Sequence, residues 1–248
     1  MNDLGRHAYG AAALLLAALG FAFGVTAGVW HPLPDGVPAG TPYIIAAIFL
    51  LGGAGVQWRQ TATIGGVLLA LAFLFFAGMW VTRILLLPRV FGTWSGCGEE
   101  LVPALAGLLV ALGGGAKGRT VDKRVLLVVR VAMGICVLGF GILHFDALPQ
   151  TTAMVPRWIP PGQRFWALAT GLADVAAGLA LISGILSVPA ARLLTIMFAS
   201  FGAFIWLPML LRTPHEATVW GGNAINLAVT ASVWILADTL SRRGRRTR

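Results

Sequence analysis

The sequence predicts an all-α integral membrane protein with eight transmembrane helices, arranged as two tandem four-helix bundle units. Three observations predict this fold class: the composition, a series of long apolar runs, and a repeat between the two halves of the chain. Of the 248 residues, 58% are hydrophobic and 11% are charged, and the mean hydropathy is +0.84. Soluble domains contain about 25% charged residues, so this chain could not cover its surface in water.

Eight apolar runs are candidates for helices that cross a bilayer, which requires about 20 residues. The first run follows Arg6, as the apolar part of a signal peptide would, but its length and its counterpart in the repeat favour a retained helix. The fourth run is the shortest and the least secure. The runs are Ala8–Trp30, Pro42–Trp58, Thr61–Leu87, Leu101–Gly114, Val125–Phe145, Phe165–Ser183, Pro189–Leu211 and Val219–Leu240.

The net charge of +9 is concentrated on one side of the predicted membrane. With eight spans, twelve of the 18 Lys and Arg residues fall in the two termini and in the loops on the same side. Cytoplasmic segments of membrane proteins are rich in Lys and Arg, so both termini are predicted to face the cytoplasm from the plasma (inner) membrane. The expected partner is the lipid bilayer. Nucleic acid is not expected, because no basic face with interleaved aromatic residues occurs.

The two halves of the chain repeat each other with an offset of 126 residues. The pairs that keep this offset are Trp80 with Trp206, Pro88 with Pro214, Trp94 with Trp220, Gly52 with Gly178, and Gly96 with Gly222. The repeat predicts a first unit at 1–115, a basic cytoplasmic linker at 116–124, a second unit at 125–241 and a basic tail at 242–248. Since four spans per unit is an even number, the two units are expected to have the same orientation.

Asp174 is the sharpest candidate for a functional group, because an ionisable residue within a membrane span is expensive and by default marks a function. It lies about ten residues into the sixth span, near the bilayer midplane. It either carries a proton or binds the head of a ligand, or it locks the bundle by pairing with an arginine or a hydroxyl. His144 ends the fifth span, and Asp174 is expected two or three turns below it. His144 and Asp174 are the predicted catalytic pair.

Other polar residues in or near the spans have strong structural explanations. Arg130 can extend to the inner headgroups. Glu99, Glu100, Asn223 and Asn226 are expected in the first turns of helices, where acids and caps are favoured in any case. The residues retained as candidates for ligand binding are Arg83, Glu100, Trp158, Arg164 and Asn226.

The cysteines and histidines do not predict a metal or haem site. Cys97 is expected in a loop and Cys136 within a helix, and the chain has no C-x-x-C pattern, so neither a disulfide nor a metal site is predicted. His31 and His144 each end the first span of their half, and two histidines can ligate haem. Because both lie at helix ends rather than face to face, haem is disfavoured.

The second half resembles the DoxX-like family of small four-helix membrane proteins, over residues 125–240. The resemblance is carried by an early Arg and Gly, a G-x-x-HF helix end, a VP-x-W-x-P loop and a G-x-x-acid-x-x-x-G helix, in which Asp174 stands where Glu is more usual. The first half lacks both the acid and the HF pair. The residues that fill these places are Arg130, Gly134, Gly141, His144, Phe145, Val155, Pro156, Trp158, Pro160, Gly171, Asp174 and Gly178.

The resemblance implies a helical bundle and an association with membrane redox systems, since some relatives are subunits of a thiosulfate:quinone oxidoreductase. A quinone is then the candidate cofactor and a membrane redox protein the candidate partner. The chain contains no Walker, G-x-G-x-x-G, H-E-x-x-H or G-x-S-x-G motif, so no motif states an enzyme class. If the protein is an enzyme, the resemblance implies a subunit of a quinone-linked oxidoreductase. Two alternatives stay open: a transporter for a small hydrophobic or anionic molecule, and a structural membrane subunit without a ligand.

Overall fold

The computed structural model describes residues 3–25, 36–113 and 120–246, and in these ranges every regular element is a helix. His31 lies outside the described residues. One short helix, α6, interrupts the loop that the sequence predicts between the fifth and sixth spans. The elements are α1 Leu4–Phe23, α2 Thr41–Gly55, α3 Ala62–Leu86, α4 Phe91–Gly113, α5 Lys123–Asp146, α6 Leu148–Met154, α7 Gln163–Ser183, α8 Ser187–Phe201, a π-helical segment Gly202–Trp206, α9 Leu207–Arg212 and α10 Ala217–Arg246.

Seven helices of the described chain are long and apolar enough to cross a membrane, and the chain is therefore an integral membrane protein. They are α1, α3, α4, α5, α7, α10, and the continuous helix Ser187–Arg212 that contains α8, the π-helical segment and α9. The remaining apolar helix, α2, has 15 residues and a length of roughly 22 Å at 1.5 Å per residue. That is short of the hydrocarbon core of about 30 Å, so the described structure confirms seven of the eight predicted spans by length.

The largest difference between the predicted and the observed helix bounds is in α4. The sequence places a loop before a short span that begins at Leu101, whereas α4 begins at Phe91 and includes Cys97, Glu99 and Glu100. The segment FGTWSGCGEE has low hydrophobicity and three glycines, which resembles a loop. Its small residues are instead buried against neighbouring helices, and close packing of small residues stabilises helices in membranes.

The placement of Glu99, Glu100, Asn223 and Asn226 in first turns of helices is therefore wrong. Glu99 and Glu100 follow two turns of α4, and α10 begins at Ala217, well before the two asparagines. Cys97 is correspondingly in a helix and not in a loop. In α4 the cause is a helix that begins well before its apolar run, because tertiary contacts outweigh local propensity. Helix α10 begins close to the predicted run, and the two asparagines lie in its second and third turns.

The helices form two rings that share α4 and α10. In the first, α1 packs on α2, α2 on α3, α3 on α4, α4 on α10, and α10 on α1. In the second, α5 packs on α7, α7 on α8, α8 on α10, α10 on α4, and α4 on α5. Each half of the chain is thus closed by one helix of the other half, and α4 and α10 form the centre of the molecule.

Residues that are 126 positions apart make the same contacts in the two halves. The indole Nε1 of Trp94 donates to the carbonyl oxygen of Pro88 at 3.2 Å, and that of Trp220 donates to the oxygen of Pro214 at 2.8 Å. A Cβ atom on Gly96 would lie 2.2 Å from the ring of Trp80, and one on Gly222 would lie 2.0 Å from the ring of Trp206. These glycines are required because the indole rings lie directly on the helix backbone.

The helix pairs α1–α2 and α5–α7 also pack alike. A Cβ atom on Gly53 would meet the oxygen of Gly10 at 3.0 Å, and one on Gly178 would meet the oxygen of Gly134 at 2.9 Å. Gly52 instead faces Leu69 on α3. The packing equivalent of Gly178 is therefore Gly53, one residue from the position that the constant offset predicts.

The segments predicted to share one side of the membrane meet at one end of the bundle. Asp3 accepts hydrogen bonds from Arg6 at 3.2 Å and from Arg59 at 2.9 Å and 3.1 Å, and Arg243 donates to the carbonyl of Val121 at 3.1 Å. Partial burial raises the pKa of Asp3, but the hydrogen bonds and charges of Arg59 and Arg6 outweigh it and lower the pKa below its ordinary value. The carboxylate therefore stays ionised at neutral pH and ties α1 to the α2–α3 turn.

The close approach of α5 and α7 gives a test on one helix. A Cβ atom on Gly141 would lie 2.8 Å from the carbonyl oxygen of Gly171, whereas nothing lies within 4 Å of a Cβ atom on Gly139. We expect Gly141→Ala to lower the free energy of unfolding by about 1–3 kcal/mol through overpacking. Gly139→Ala, the control, is expected to be neutral or stabilising, because Ala favours helix. Thermal unfolding in detergent measures both, and equal melting temperatures for the two variants would contradict the packing.

Candidate functional site

A cavity of about 790 Å³ lies between α4, α5, α7, α8 with the π-helical segment, and α10, and its wall is completed by α6, the loop that follows α6, and Trp80 of α3. It occupies the part of the bundle near the C-terminal end of α5, away from the cluster around Asp3. Aromatic rings form much of its wall, namely Trp80, Phe140, Trp166, Phe198, Phe201, Phe204 and Trp206. The polar residues in the wall are Ser95, Glu99, His144, Thr151, Thr170, Asp174, Ser200 and Asn226.

Asp174 is fully buried in the wall of this cavity, at 0% relative exposure. Neither of its carboxyl oxygens has a hydrogen-bond partner. The nearest ionisable partner is His144, whose Nδ1 lies 4.0 Å from Asp174 Oδ2, which is beyond hydrogen-bond distance. A buried polar group without a partner is rare and costly, so the carboxyl of Asp174 is available to a ligand in the cavity.

The orientation of His144 follows from its own helix. Nδ1 lies 3.0 Å from the carbonyl oxygen of Phe140, and a carbonyl can only accept, so Nδ1 carries the proton. In the neutral ring Nε2 is then the acceptor. The imidazole is thereby held in one tautomer beside Asp174, as a base with one free nitrogen.

Two glycines bring Asp174 to within about one helical turn of His144. A Cβ atom on Gly171 would lie 2.7 Å from His144 Cβ, and one on Gly141 would lie 2.8 Å from the backbone nitrogen of Val175. The first two turns of α7 therefore extend past the end of α5. The expectation that Asp174 lies two or three turns below His144 is wrong, because it assumes that both helices end at the same level.

Two asparagines on α10 hold the helix that contains the π-helical segment. Asn226 Nδ2 donates to the carbonyl oxygen of Phe198 at 3.1 Å, and Asn223 Nδ2 donates to that of Trp206 at 3.0 Å. A π-helical turn breaks the regular hydrogen-bond pattern and often occurs at functional sites. Asn226 thus lies in the cavity wall and satisfies a backbone group of the facing helix.

The four other predicted ligand-binding residues lie outside the wall. Arg83, in the last turn of α3, packs on Trp80 with its guanidinium carbon 5.7 Å from the ring centroid. Trp158 is 70% exposed and meets the edge of Phe204 at 6.0 Å. Arg164 is exposed in the first turn of α7, and Glu100 is buried on a different face of α4. Of the seven predicted site residues, the structure brings together His144, Asp174 and Asn226.

Glu99 lines the cavity and is not among the predicted site residues. The missed signal is the spacing of Gly92, Ser95, Gly96 and Glu99, which is the i, i+3, i+4, i+7 pattern of one helix face. It becomes visible only if α4 is known to begin at Phe91. In the ranges 3–25, 36–113 and 120–246, no group of three His, Cys, Asp or Glu side chains is placed to hold a metal ion.

Residues 125–207 match the DoxX family model. The second half of the chain therefore contains a DoxX domain, as the resemblance of its motifs indicates. The match covers α5 through the start of α9 and includes both His144 and Asp174. No curated protein and no solved structure matches the chain.

Asp174 has no hydrogen-bond partner in the protein, and this gives a test that separates a ligand site from a structural lock. If Asp174 has no structural partner, Asp174→Asn and Asp174→Leu are expected to leave the free energy of unfolding unchanged or to raise it, since a buried unsatisfied carboxyl costs about 1–3 kcal/mol. Thermal unfolding without added ligand measures this. A loss of more than about 1 kcal/mol in Asp174→Asn would instead indicate a structural role, as breaking a buried pair does.

Proposed function

We propose that this protein is a membrane component of a quinone-linked redox system and that its cavity binds the head of a quinone or quinol. The observation that carries the proposal is the buried carboxyl of Asp174, which has no hydrogen-bond partner and stands beside His144 in an apolar cavity. Ligand sites are apolar clefts of about 300–1,000 Å³ with a few placed polar groups. The cavity has that volume and that composition.

The two polar groups suit proton exchange with such a head. A quinol that gives two electrons to a redox partner also releases two protons. The free Nε2 of His144 and the carboxylate of Asp174 can accept protons within the apolar cavity, as general bases do. Electrons would pass to a separate partner protein, and this chain would supply the binding cavity and the proton acceptors.

The proposal includes an eight-span architecture of two units with the same orientation. It is supported by the helix α2, which runs back along α1: Gly20 faces Ala46 and Gly10 faces Gly53. The chain that leaves the Asp3 end through α1 thus returns to it through α2, although α2 is short.

The repeated Trp–Pro hydrogen bonds and the two rings support a division into units at 1–115 and 125–241, joined by the linker 116–124, with a C-terminal tail at 242–248. The basic residues at the Asp3 end support an orientation in which that end, with both termini, faces the cytoplasm.

The ends of α2 test this topology. The test uses a chain without native cysteines, which carries Cys97→Ala and Cys136→Ala. Into this chain a single exposed thiol is introduced either before α2, by Gly40→Cys, or after it, by Gln60→Cys. We expect an impermeant maleimide to label residue 40 only from outside the cell and residue 60 only in inside-out vesicles. Labelling of both thiols from one side would show that α2 does not cross the membrane.

A transporter is the second candidate, and one observation favours it. The cavity wall contains α4 from the first half and α5, α7 and α10 from the second half. Sites formed between repeats are typical of transporters that rock one repeat against the other. Flux of a small lipophilic molecule into vesicles that contain the purified protein would support this candidate over the redox one.

Binding of a quinone head gives the test of the main proposal. Purified protein in nanodiscs is titrated with duroquinol under anaerobic conditions, and binding is measured by calorimetry. We expect saturable binding with one site per chain. Asp174→Asn and His144→Ala are each expected to weaken it about tenfold or more, because a buried ligand group that loses its hydrogen-bond partner costs about 1–3 kcal/mol.

Trp158→Ala is the matched control for that titration, because Trp158 is a predicted site residue that lies outside the cavity wall. Its affinity for duroquinol is expected to remain within about twofold of the wild type. Binding that is unchanged in Asp174→Asn and in His144→Ala, or that is absent in the wild-type protein, would exclude the proposed site.

A further inference from the structure

Helix α4, which lies outside the DoxX domain, contributes a polar face to the cavity of the second half. Gly92, Ser95, Gly96 and Glu99 line the cavity and fall on one side of the helix. Gly96 lies directly against the ring of Trp80, whereas nothing lies within 4 Å of a Cβ atom on Gly92. Glu99 is the one ionisable side chain on this face. The site therefore draws on both halves of the chain.

The described wall of the cavity contains two acidic residues and no Lys or Arg. Its ionisable residues are Glu99 from α4, Asp174 from α7 and His144 from α5, and none of the described residues that line it is Lys or Arg. Arg83 contacts Trp80 from α3 but does not line the cavity. No positive side chain is therefore in place to receive an anionic group.

Asp174 and His144 in the wall both have acceptor atoms without a hydrogen-bond donor. The two oxygens of Asp174 accept no hydrogen bond, and the free nitrogen of His144 is an acceptor. A carboxyl group keeps at least one acceptor oxygen whether or not it is ionised. A ligand head that donates hydrogen bonds satisfies that oxygen and the free nitrogen of His144, whereas a head that only accepts leaves this nitrogen unpaired.

We propose that Glu99 is a further ligand-binding residue of this cavity, and that the cavity selects lipophilic molecules whose heads donate hydrogen bonds and excludes anionic heads. The hydroxyl of a hydroquinone and a primary ammonium group share this donor chemistry. The inference rests on the proposed function for the location of the ligand and deepens it, since it assigns the reduced quinol rather than the oxidised quinone as the bound form. The indole faces of Trp80, Trp166 and Trp206 add a favourable surface for an aromatic or cationic head.

The repeat shows what is particular to Glu99. The residue 126 positions later is Ile225, which also lines the cavity. Neighbouring Glu100 is buried on the same helix but is not part of the wall. Glu99 and Glu100 are therefore a matched pair: the same side chain on the same helix, one inside the site and one outside it.

The selectivity is tested with four probes on the wild-type chain in nanodiscs of phosphatidylcholine. Duroquinol and duroquinone share a ring but differ in donor hydroxyls. The cation 1-naphthylmethylammonium and the anion 1-naphthaleneacetate share a bicyclic frame but differ in charge. We expect duroquinol to bind at least tenfold tighter than duroquinone, the cation to bind saturably, and the anion to show no saturable binding by calorimetry.

The role of Glu99 is tested with Glu99→Gln against Glu100→Gln. We expect Glu99→Gln to weaken binding of duroquinol and of the cation about tenfold or more, and Glu100→Gln to change either by less than about twofold. Size-exclusion chromatography and thermal unfolding establish that each variant is folded. The probe series on the wild-type chain tests the selectivity even if a variant fails to fold.

The outcomes separate this inference from the proposed function. Saturable binding of the anion, equal affinity for duroquinol and duroquinone, or equal effects of the two glutamine variants would overturn the inference. Binding of the cation that depends on Glu99, together with no binding of duroquinol, would support the donor-selective site and exclude the quinone-linked function. Binding of duroquinol that depends on Asp174 but not on Glu99 would keep the proposed function and remove Glu99 from the site.

Discussion

The structure depends on close contact between helix backbones at glycine. Within a bilayer the hydrophobic effect does not drive helices together, so association relies on van der Waals packing and on small residues that let backbones approach. Gly10 with Gly53, and Gly134 with Gly178, provide this contact in the two halves. The α5–α7 contact also sets the functional geometry, because Gly141 and Gly171 place His144 beside Asp174.

The indole rings add a second kind of contact at the same positions in both halves. Trp80 lies on Gly96 and Trp206 lies on Gly222, so each ring closes a gap that the glycine leaves. Both rings also line the cavity. The large aromatic residues that stabilise the helix pairs therefore form the apolar surface that a ligand would meet.

The shared position of α4 and α10 explains why the chain is more than two separate bundles. Each of these helices packs within its own half and also closes the ring of the other half. Gly98 of α4 allows the contact with α5, where its Cβ would lie 3.3 Å from Cys136 Cβ. A DoxX domain in this setting has a cavity wall that it does not build alone, because the first half contributes Gly92, Gly96 and the carboxyl of Glu99 to that wall.

The sequence by itself determined the membrane class, the second-half family, the extent of most helices and the pair His144 and Asp174. These follow from hydropathy, motif spacing and the rarity of a carboxyl in an apolar run, all of which are local properties. Only the tertiary structure decided that α4 begins at Phe91, that Glu99 faces a cavity while Glu100 does not, and that His144 and Asp174 lie within about one turn of each other. Arg83, Trp158 and Arg164 are of residue types that are common in ligand sites, but they lie outside the cavity wall. The physical reason is that a helix start and a side chain's direction in a bundle depend on contacts between helices that are distant in the chain, which periodicity along one segment does not encode.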